Sequence, residues 1–225
     1  MKKGVLLLLA LFLLVGCAGE RAPARTAAAL KGEPIAAAFC MNSRRIHYNE
    51  LVYKVVYNET VTHDSVFDGL WDVDSELSLL WAKLLPQAGM HASALSALVP
   101  SSELPPDWCS ALGTPSEAPT LAASIRRALL EHQINYLVLL RASQFAVSSY
   151  SFGNYSQLIV PGDLIFYNVR TNRVEFSEHV FIAGSIGGHS PRELEANDLA
   201  LLKKTARELI STQGLKTLRS ASATD

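Results

Sequence analysis

The run Tyr136-Leu137-Val138-Leu139-Leu140 is apolar at successive positions, so an extended segment here would bury both of its faces. Strands of this kind lie between two packed layers, as in sheets covered by helices on each side. Before this run, apolar side chains recur at helical spacing, at Leu121, Ile125, Ala128, Leu129 and His132. The sequence therefore predicts a helix that leads directly into a buried central strand.

A hairpin is predicted further along the chain. Asp163–Val169 and Val174–Ile182 have the composition of strands, and the four residues 170–173 between them suit a hairpin turn. One face of the second strand is apolar, at Val174, Phe176, Val180 and Ile182, and the other is polar, at Glu175, Ser177 and His179. This alternation predicts a sheet that is covered on one side here.

Two more helices and two more strands are predicted from period and capping. A strand is expected over Leu51–Tyr57, and a second, short one over Ala94–Val99. A helix capped by Asp74 and ending near Gly89 has its apolar stripe at Leu77, Leu80, Trp81, Leu84 and Leu85. The closing helix starts at the capping box Ser190–Glu193 and runs towards Gly214, with its stripe at Leu199, Leu202, Ala206, Leu209 and Ile210.

The order strand, helix, strand, helix, strand, hairpin, helix predicts an α/β fold on the border of α+β. The expected architecture is a mixed sheet of about five strands with two or three packed helices. The helix that runs into residues 134–139, the hairpin 164–174 and the terminal helix resemble the small periplasmic α/β domain of curli-secretion and penicillin-binding-protein-activator lipoproteins. They also resemble the N-terminal domain of the Tol-Pal propeller protein. The resemblance implies a periplasmic fold of this type over about residues 50–213.

The first residues are typical of an export signal. Lys2 and Lys3 precede the apolar run Val5–Val15, which is shorter than the roughly 20 residues that a spanning helix needs. The quartet Leu14-Val15-Gly16-Cys17 resembles the lipobox of bacterial lipoproteins. An ordinary secretory signal with a chance cysteine, or a short core strand, is the alternative.

The lipobox resemblance implies a chemical modification and an address. In that family the signal is cut before the cysteine, whose sulfur carries a diacylglycerol, so Cys17 is the expected lipidation site. Ala18 follows it where an Asp would suggest retention in the inner membrane, and this favours the outer membrane. The expected location of the domain is therefore the periplasm, with the lipid as its contact with the membrane.

Composition limits the class of function. The chain of 225 residues has a formal charge of -1 and 18% charged residues, so no strong positive field would attract a nucleic acid. In an oxidising compartment Cys40 and Cys109 could form a disulfide, worth about 4 kcal/mol for a loop of this length. Two buried thiols are the alternative, because the sequence does not supply the Cα separation.

The expected layout of the chain has four parts. Residues 1–16 form the signal peptide, and residues 17–34 form the lipidated cysteine and a flexible tether. Residues 35–217 form a single periplasmic α/β domain, and residues 218–225 are expected to be a frayed tail. Within the domain, the proline-rich stretch 99–119 is predicted to be a surface loop.

No catalytic residue, metal site or cofactor is predicted. The six histidines lack the spacing of a metal site, and adjacent residues such as His63-Asp64-Ser65 cannot converge as a triad. The carboxylates of Asp72, Asp74 and Glu76 could in principle hold calcium, but acids at a helix start are more typical of capping.

An interaction surface is the remaining candidate. Four aromatic residues lie in or beside a stretch rich in Ser, Gly and Asn, a composition common in recognition surfaces: Phe145, Tyr150, Phe152 and Tyr155. The alternative is that these rings cover the sheet of their own domain. The sequence thus favours a non-enzymatic outer-membrane lipoprotein that binds an envelope protein, as part of an assembly, secretion or wall-synthesis complex. An envelope hydrolase with a site assembled from distant residues, or a carrier of a lipid or small apolar ligand, are the alternatives.

Overall fold

The computed structural model describes residues 30–53, 57–67, 69–105, 108–109, 121–150, 155–186 and 191–222. The strands assigned there are β1 Ile35–Met41, β2 Arg45–Tyr53, β3 Asn58–Val66, β4 Ala92–Ala94, β5 Tyr136–Ala142, β6 Phe145–Tyr150, β7 Tyr155–Asn168 and β8 Arg173–Ser185. The α-helices are α1 Val73–Leu84, α2 Leu95–Leu98, α3 Ala123–Glu131, α4 Pro191–Leu209 and α5 Leu215–Ser222. Short 3-10 helices and a π-helical turn, Ile210–Gly214, connect some of them.

The sheet is mixed. Strands β1 and β2 follow each other along the chain, as β5 and β6 do, and the two pairs lie side by side. Strand β1 pairs in parallel with β5, and β2 pairs in parallel with β6. The long strand β7 runs antiparallel to both β6 and β5, and β8 pairs with its other side. Strand β4 lies beside β1, and β3 lies beside β2. The predicted mixed α/β fold is confirmed, and the sheet has eight strands in the described part of the chain, against the predicted number of about five.

Strand β1 is buried on both faces and divides two hydrophobic cores. Its residues Ile35, Ala37, Phe39 and Met41 face the first core, which also holds the apolar sides of α1 and α4. Its residues Ala36, Ala38 and Cys40 face the second core, which α3 covers. This half of the sheet therefore has helices on each side, which is the three-layer arrangement that buries a strand completely.

Several strands lie where the sequence did not predict them. Strand β1 is rich in alanine and has no alternating polar face, so period gave no signal there. The strand expected over residues 51–57 begins earlier, as β2, and residues 54–56 lie outside the described part. The stretch expected to be a strand over Ala94–Val99 is instead the end of β4 followed by the short helix α2.

The hairpin is confirmed, but one of its side chains lies on the other face. A β-bulge lies between Phe166 and Tyr167, where the pairing partner changes from Phe176 to Val174. The extra residue reverses the alternation, so Val174 packs against the second core while Phe176 packs against the first. The predicted apolar face of β8 therefore holds only from Phe176 onwards.

The ordered domain is longer at both ends than the predicted range 35–217. Leu30 is fully buried in the first core, so the segment expected to be a tether contributes to packing by this residue. Helix α5 continues to residue 222 and buries Leu218 and Ala221 in the same core. The prediction of a frayed tail from residue 218 is therefore wrong as far as residue 222.

The closing helix α4 is interrupted inside its range. Asn197, Asp198 and Leu199 have positive φ angles of 53°, 54° and 62°, so the helix axis breaks after the first turn. Beyond this break Leu202 and Ala206 continue the buried stripe that the sequence predicted. Ser190, the expected cap, lies outside the described residues. In the part of the chain that is described, no helix is both long and apolar enough to cross a membrane.

Candidate functional site

A disulfide joins Cys40, near the end of β1, to Cys109 in the proline-rich loop. Their Cα atoms are 5.9 Å apart, within the range that a disulfide requires. The bond faces the second core, where Trp108 is also buried. It closes a segment with a sequence separation of 69 residues, for which the chain-entropy model gives a stabilisation of about 4 kcal/mol. The structure thus contains the cysteine pairing that the sequence left open.

A pocket of about 290 Å³, with one polar and one apolar side, lies near this disulfide. It opens near the carboxyl ends of β1 and β4, the edge at which ligands commonly bind in parallel α/β sheets. Its polar side is formed by the start of α1 and by Arg44, and its apolar side includes Leu104 and Trp108. The pocket therefore combines two acids, a guanidinium, hydroxyl groups and an aromatic ring.

Asp74 is the most perturbed acid of the pocket. Its carboxylate accepts a hydrogen bond from the Met41 backbone N–H at 3.1 Å and forms an ion pair with Arg44 at 2.8 Å. Burial raises the pKa of the Asp74 carboxyl from 3.8 to about 6, although both partners lower it. The helix cap is Asp72, whose side chain accepts from the Ser75 N–H at 3.3 Å, so the prediction that Asp74 caps the helix is wrong.

Ser78 is the buried hydroxyl of the pocket, and its bonds are internal. Its oxygen accepts from the Phe39 N–H at 2.9 Å and donates to the Phe39 carbonyl at 3.2 Å. These two bonds attach α1 to β1, as the contacts of Asp74 do. A hydroxyl held in this way is not presented to a substrate as a nucleophile. The pocket can therefore bind a small polar ligand through its open groups, and its buried groups hold the two elements together.

The three acids that were considered as a calcium site have separate partners. Asp72 caps its own helix, Asp74 contacts Met41 and Arg44, and Glu76 pairs with Arg207 of α4. Among the described residues, no group of three or more His, Cys, Asp or Glu side chains is placed to hold a metal ion.

From the disulfide residue Cys40, a row of charged side chains crosses the same end of the sheet. The register aligns Cys40, Arg141, Asp163 and His179 on neighbouring strands from β1 to β8. Asp163 contacts Arg141 at 2.7 Å and the His179 ring nitrogen at 3.2 Å. The exposed fraction of these side chains rises along the row from 9% at Arg141 to 70% at His179.

This row has two members of a hydrolase triad, an acid and a histidine. The acid, however, is shared with Arg141, which is a permanent cation and not a nucleophile. His189 lies outside the described residues. The arrangement therefore orients an exposed imidazole at the sheet edge rather than forming a triad.

The predicted partner-binding aromatics do not form one surface. Phe145 is fully buried in the first core, where its ring stacks on Trp71 at 5.4 Å between centroids, so its expected role as a contact residue is wrong. Tyr150 and Tyr155 pair across the ends of β6 and β7, and their side chains lie outside the described part. Phe152 and the lipidation candidate Cys17 also lie outside it.

A groove of about 650 Å³ runs along α3 and bears on the ligand-carrier alternative. Arg126, Arg127 and Glu131 line it together with Leu121 and Leu130. Charged groups on its wall do not suit a lipid or another apolar ligand. This groove therefore does not favour the carrier hypothesis.

Arg44, Arg141 and Asp163 were not predicted as site residues. The sequence did indicate that Arg141 would need a partner, because its charge directly follows the apolar run 136–140, where a charged group is costly to bury alone. Nothing in the sequence indicated that this partner would be Asp163. The strand register supplies that information, since it places these two residues side by side on β5 and β7.

Comparisons with known proteins find similarity only at a low level. No family model matches the chain, and no curated protein matches it significantly. Among solved structures, the PelC dodecamer from Paraburkholderia phytofirmans is 12% identical with a TM-score of 0.40, covering 86% of this chain and 91% of that one. A protein from Xanthomonas campestris is 12% identical with a TM-score of 0.37, covering 85% and 88%. Both are bacterial proteins, and at this similarity neither supports a statement about function.

Proposed function

We propose that this protein is a lipid-anchored accessory protein of the bacterial envelope. Export removes the leader, a lipid on Cys17 holds the chain to the outer membrane, and the α/β domain lies in the periplasm. There it binds an envelope protein of an assembly, secretion or wall-synthesis complex and catalyses no reaction. The single observation that carries the proposal is the disulfide between Cys40 and Cys109.

The disulfide supports export because of redox chemistry. Glutathione and thioredoxin keep thiols reduced in the cytosol, whereas the periplasm is oxidising. Cys40 is fully buried and Cys109 is 5% exposed, so the bond is a structural one that reductants reach poorly. The disulfide of the folded domain and the lipobox-like end of the leader lie in different parts of the chain, so they support export independently.

The contacts inside the pocket favour binding over catalysis. The best candidate for an acid or base, Asp74, has a backbone N–H on one oxygen and a guanidinium on the other. The best candidate for a nucleophile, Ser78, bonds the backbone of Phe39. Groups that act on a substrate must be free to exchange protons with it. Here these groups join α1 to β1.

We assign partner binding to a row of uncharged polar residues on the sheet. The strand register places one residue from each of β3, β2, β6, β7 and β8 side by side, on the face opposite the first core: Thr62, Asn49, Ser148, Gln157 and Ser185. The neighbours in sequence of the three central members of the row face the other way and are buried in the first core: Tyr48, Val147 and Leu158. Amide and hydroxyl groups lose less free energy than charges when an interface removes their water, so such a row suits contact with a protein.

The anchor is tested by metabolic labelling with palmitate in a bacterial host that processes lipoproteins. The full chain should incorporate label and sediment with the outer membrane, and Cys17→Ala should do neither. Thiol trapping of the same cells should leave Cys40 and Cys109 unalkylated unless a reductant is added first. Equal labelling of both proteins, or two trapped thiols in the wild type, would remove the basis of the proposed location.

Partner binding is tested by crosslinking in intact cells followed by purification of the full chain. An Asn49→Arg variant places a charge in the centre of the polar row and should lose the crosslinked envelope protein. Ser124→Arg is the matched control, because Ser124 is exposed on α3, away from this row. Recovery of the same protein with all three chains would show that the row is not the binding surface, and recovery of none would contradict the accessory role.

A further inference from the structure

The outer edge of β8 carries unpaired backbone groups in the part of the chain that the structure describes. Strand β8 pairs with β7, and no other described strand pairs with it. The N–H and the C=O of Ala183 both bond the side-chain amide of Gln213, so they point away from β7. Because alternate residues of a strand direct these groups to the same side, Phe181, His179 and Ser177 also direct theirs outwards.

The opposite strand supports this assignment. Phe181 lies opposite Pro161, which has no N–H to donate, and the Pro161 carbonyl accepts from the Ser143 N–H on the far side at 2.8 Å. No pair of backbone hydrogen bonds therefore links Phe181 to β7. The Phe181 side chain is 63% exposed, the largest value among the exposed large apolar residues in the described part. An apolar ring and free backbone groups thus occur together at one edge.

We infer that this edge binds the same edge of a second copy of the chain. The two β8 strands run antiparallel with a two-fold axis at His179, as in the addition of a strand to an open sheet. Ser177 of each copy then lies opposite Phe181 of the other, and the two His179 residues lie opposite each other. In this register the outward N–H and C=O groups of all three residues have partners.

The side chains favour a second copy over an unrelated strand. On one face, the ring of Phe181 meets the small side chain of Ser177, which leaves room for it. On the other face, Glu178 lies opposite Val180, so the acidic groups of the two copies do not face each other. Asp163 holds the His179 ring at 3.2 Å, which orients it at the axis before association.

The length of the free edge agrees with this symmetry. The side chain of Gln213 hydrogen-bonds the backbone N–H and C=O of Ala183, so the stretch of free backbone groups ends before this residue. Proteins often protect sheet edges in this way. Each copy therefore presents the same stretch, Ser177–Phe181, and the backbone groups of one copy can pair with those of the other. A short ladder predicts weak association, which confinement to a membrane would strengthen by raising the effective concentration. The inference itself does not depend on the lipid anchor.

A photoreactive benzophenone amino acid at position 181 tests the contact in the purified full chain, in detergent. Irradiation should give an adduct of twice the chain mass, and mass spectrometry should place the link in the peptide that contains Ser177. The same amino acid at position 79, an exposed leucine on α1, is the control and should give little adduct.

Two variants of opposite expected effect complete the test. Ser177→Pro removes an outward N–H without removing a bond to β7, so the adduct should fall to the level of the control. Gln213→Ala uncovers Ala183 and lengthens the free edge, so the adduct should increase about twofold or more. Circular dichroism checks that each variant is folded. A monomer only, or an adduct that neither variant changes, overturns the inference.

Discussion

Replacing Asp74 by Asn should change how the stability of the domain depends on pH. The Asp74 carboxyl lies where α1 meets β1, with its side chain 18% exposed and both oxygens in contact with other groups. Asn keeps an oxygen that can accept from the Met41 N–H, but it cannot ionise. The variant therefore removes the titration of this group and preserves one of its two contacts.

The size of the effect follows from the pKa. Burial raises the pKa of Asp74 from 3.8 to about 6, so between these values the folded state holds a proton that the unfolded chain has lost. The free energy of unfolding of the wild type therefore decreases as pH rises through this window, and the decrease levels off about one pH unit above the folded-state pKa. A shift of this size corresponds to about 3 kcal/mol.

Urea unfolding at fixed ionic strength, at pH values from about 4 to 7, measures this difference. The stability of Asp74→Asn minus that of the wild type should increase by about 2–3 kcal/mol across this range. Arg44→Gln removes the cation that lowers the pKa of Asp74, so its decrease in stability should extend to higher pH. A difference between Asp74→Asn and the wild type that stays constant with pH would refute the reasoning.

Four further variants test the packing. Cys109→Ser should lower the free energy of unfolding by about 4 kcal/mol, and the wild type reduced in its unfolded state should show the same loss; equal stability of the wild type with and without this reduction would mean that the bond is absent. Phe145→Ala should lower it by about 3–5 kcal/mol, measured by urea unfolding, whereas a surface contact residue would change it little. Gly162→Ala should lower the melting temperature more than Gly184→Ala, because its Cβ would lie 2.1 Å from a backbone oxygen of Arg141, whereas at Gly184 it would meet the movable side chain of Leu209.

The sequence by itself determined the elements whose signal is local. The central strand, the hairpin turn and the stripe of α4 all depend on the period and turn preference of neighbouring residues, and the structure has each of them. The turn, predicted at residues 170–173, lies one residue earlier, at residues 169–172. The alanine-rich strand β1 and the buried Phe145 could not be predicted in this way. Helices distant in the sequence cover both faces of β1, and the ring of Phe145 packs against Phe67 and Trp71, which are also distant in the sequence.

Only the tertiary structure decided which chemical groups meet. Cys40 and Cys109, or Asp74 and Arg44, are distant in sequence, and their contacts exist because α1 and the residues at Trp108 and Cys109 pack at the same end of β1. The outward direction of the backbone at the edge of β8 depends likewise on its register with β7. The physical reason is that register and packing arise from long-range burial of apolar surface, which no short stretch of sequence contains.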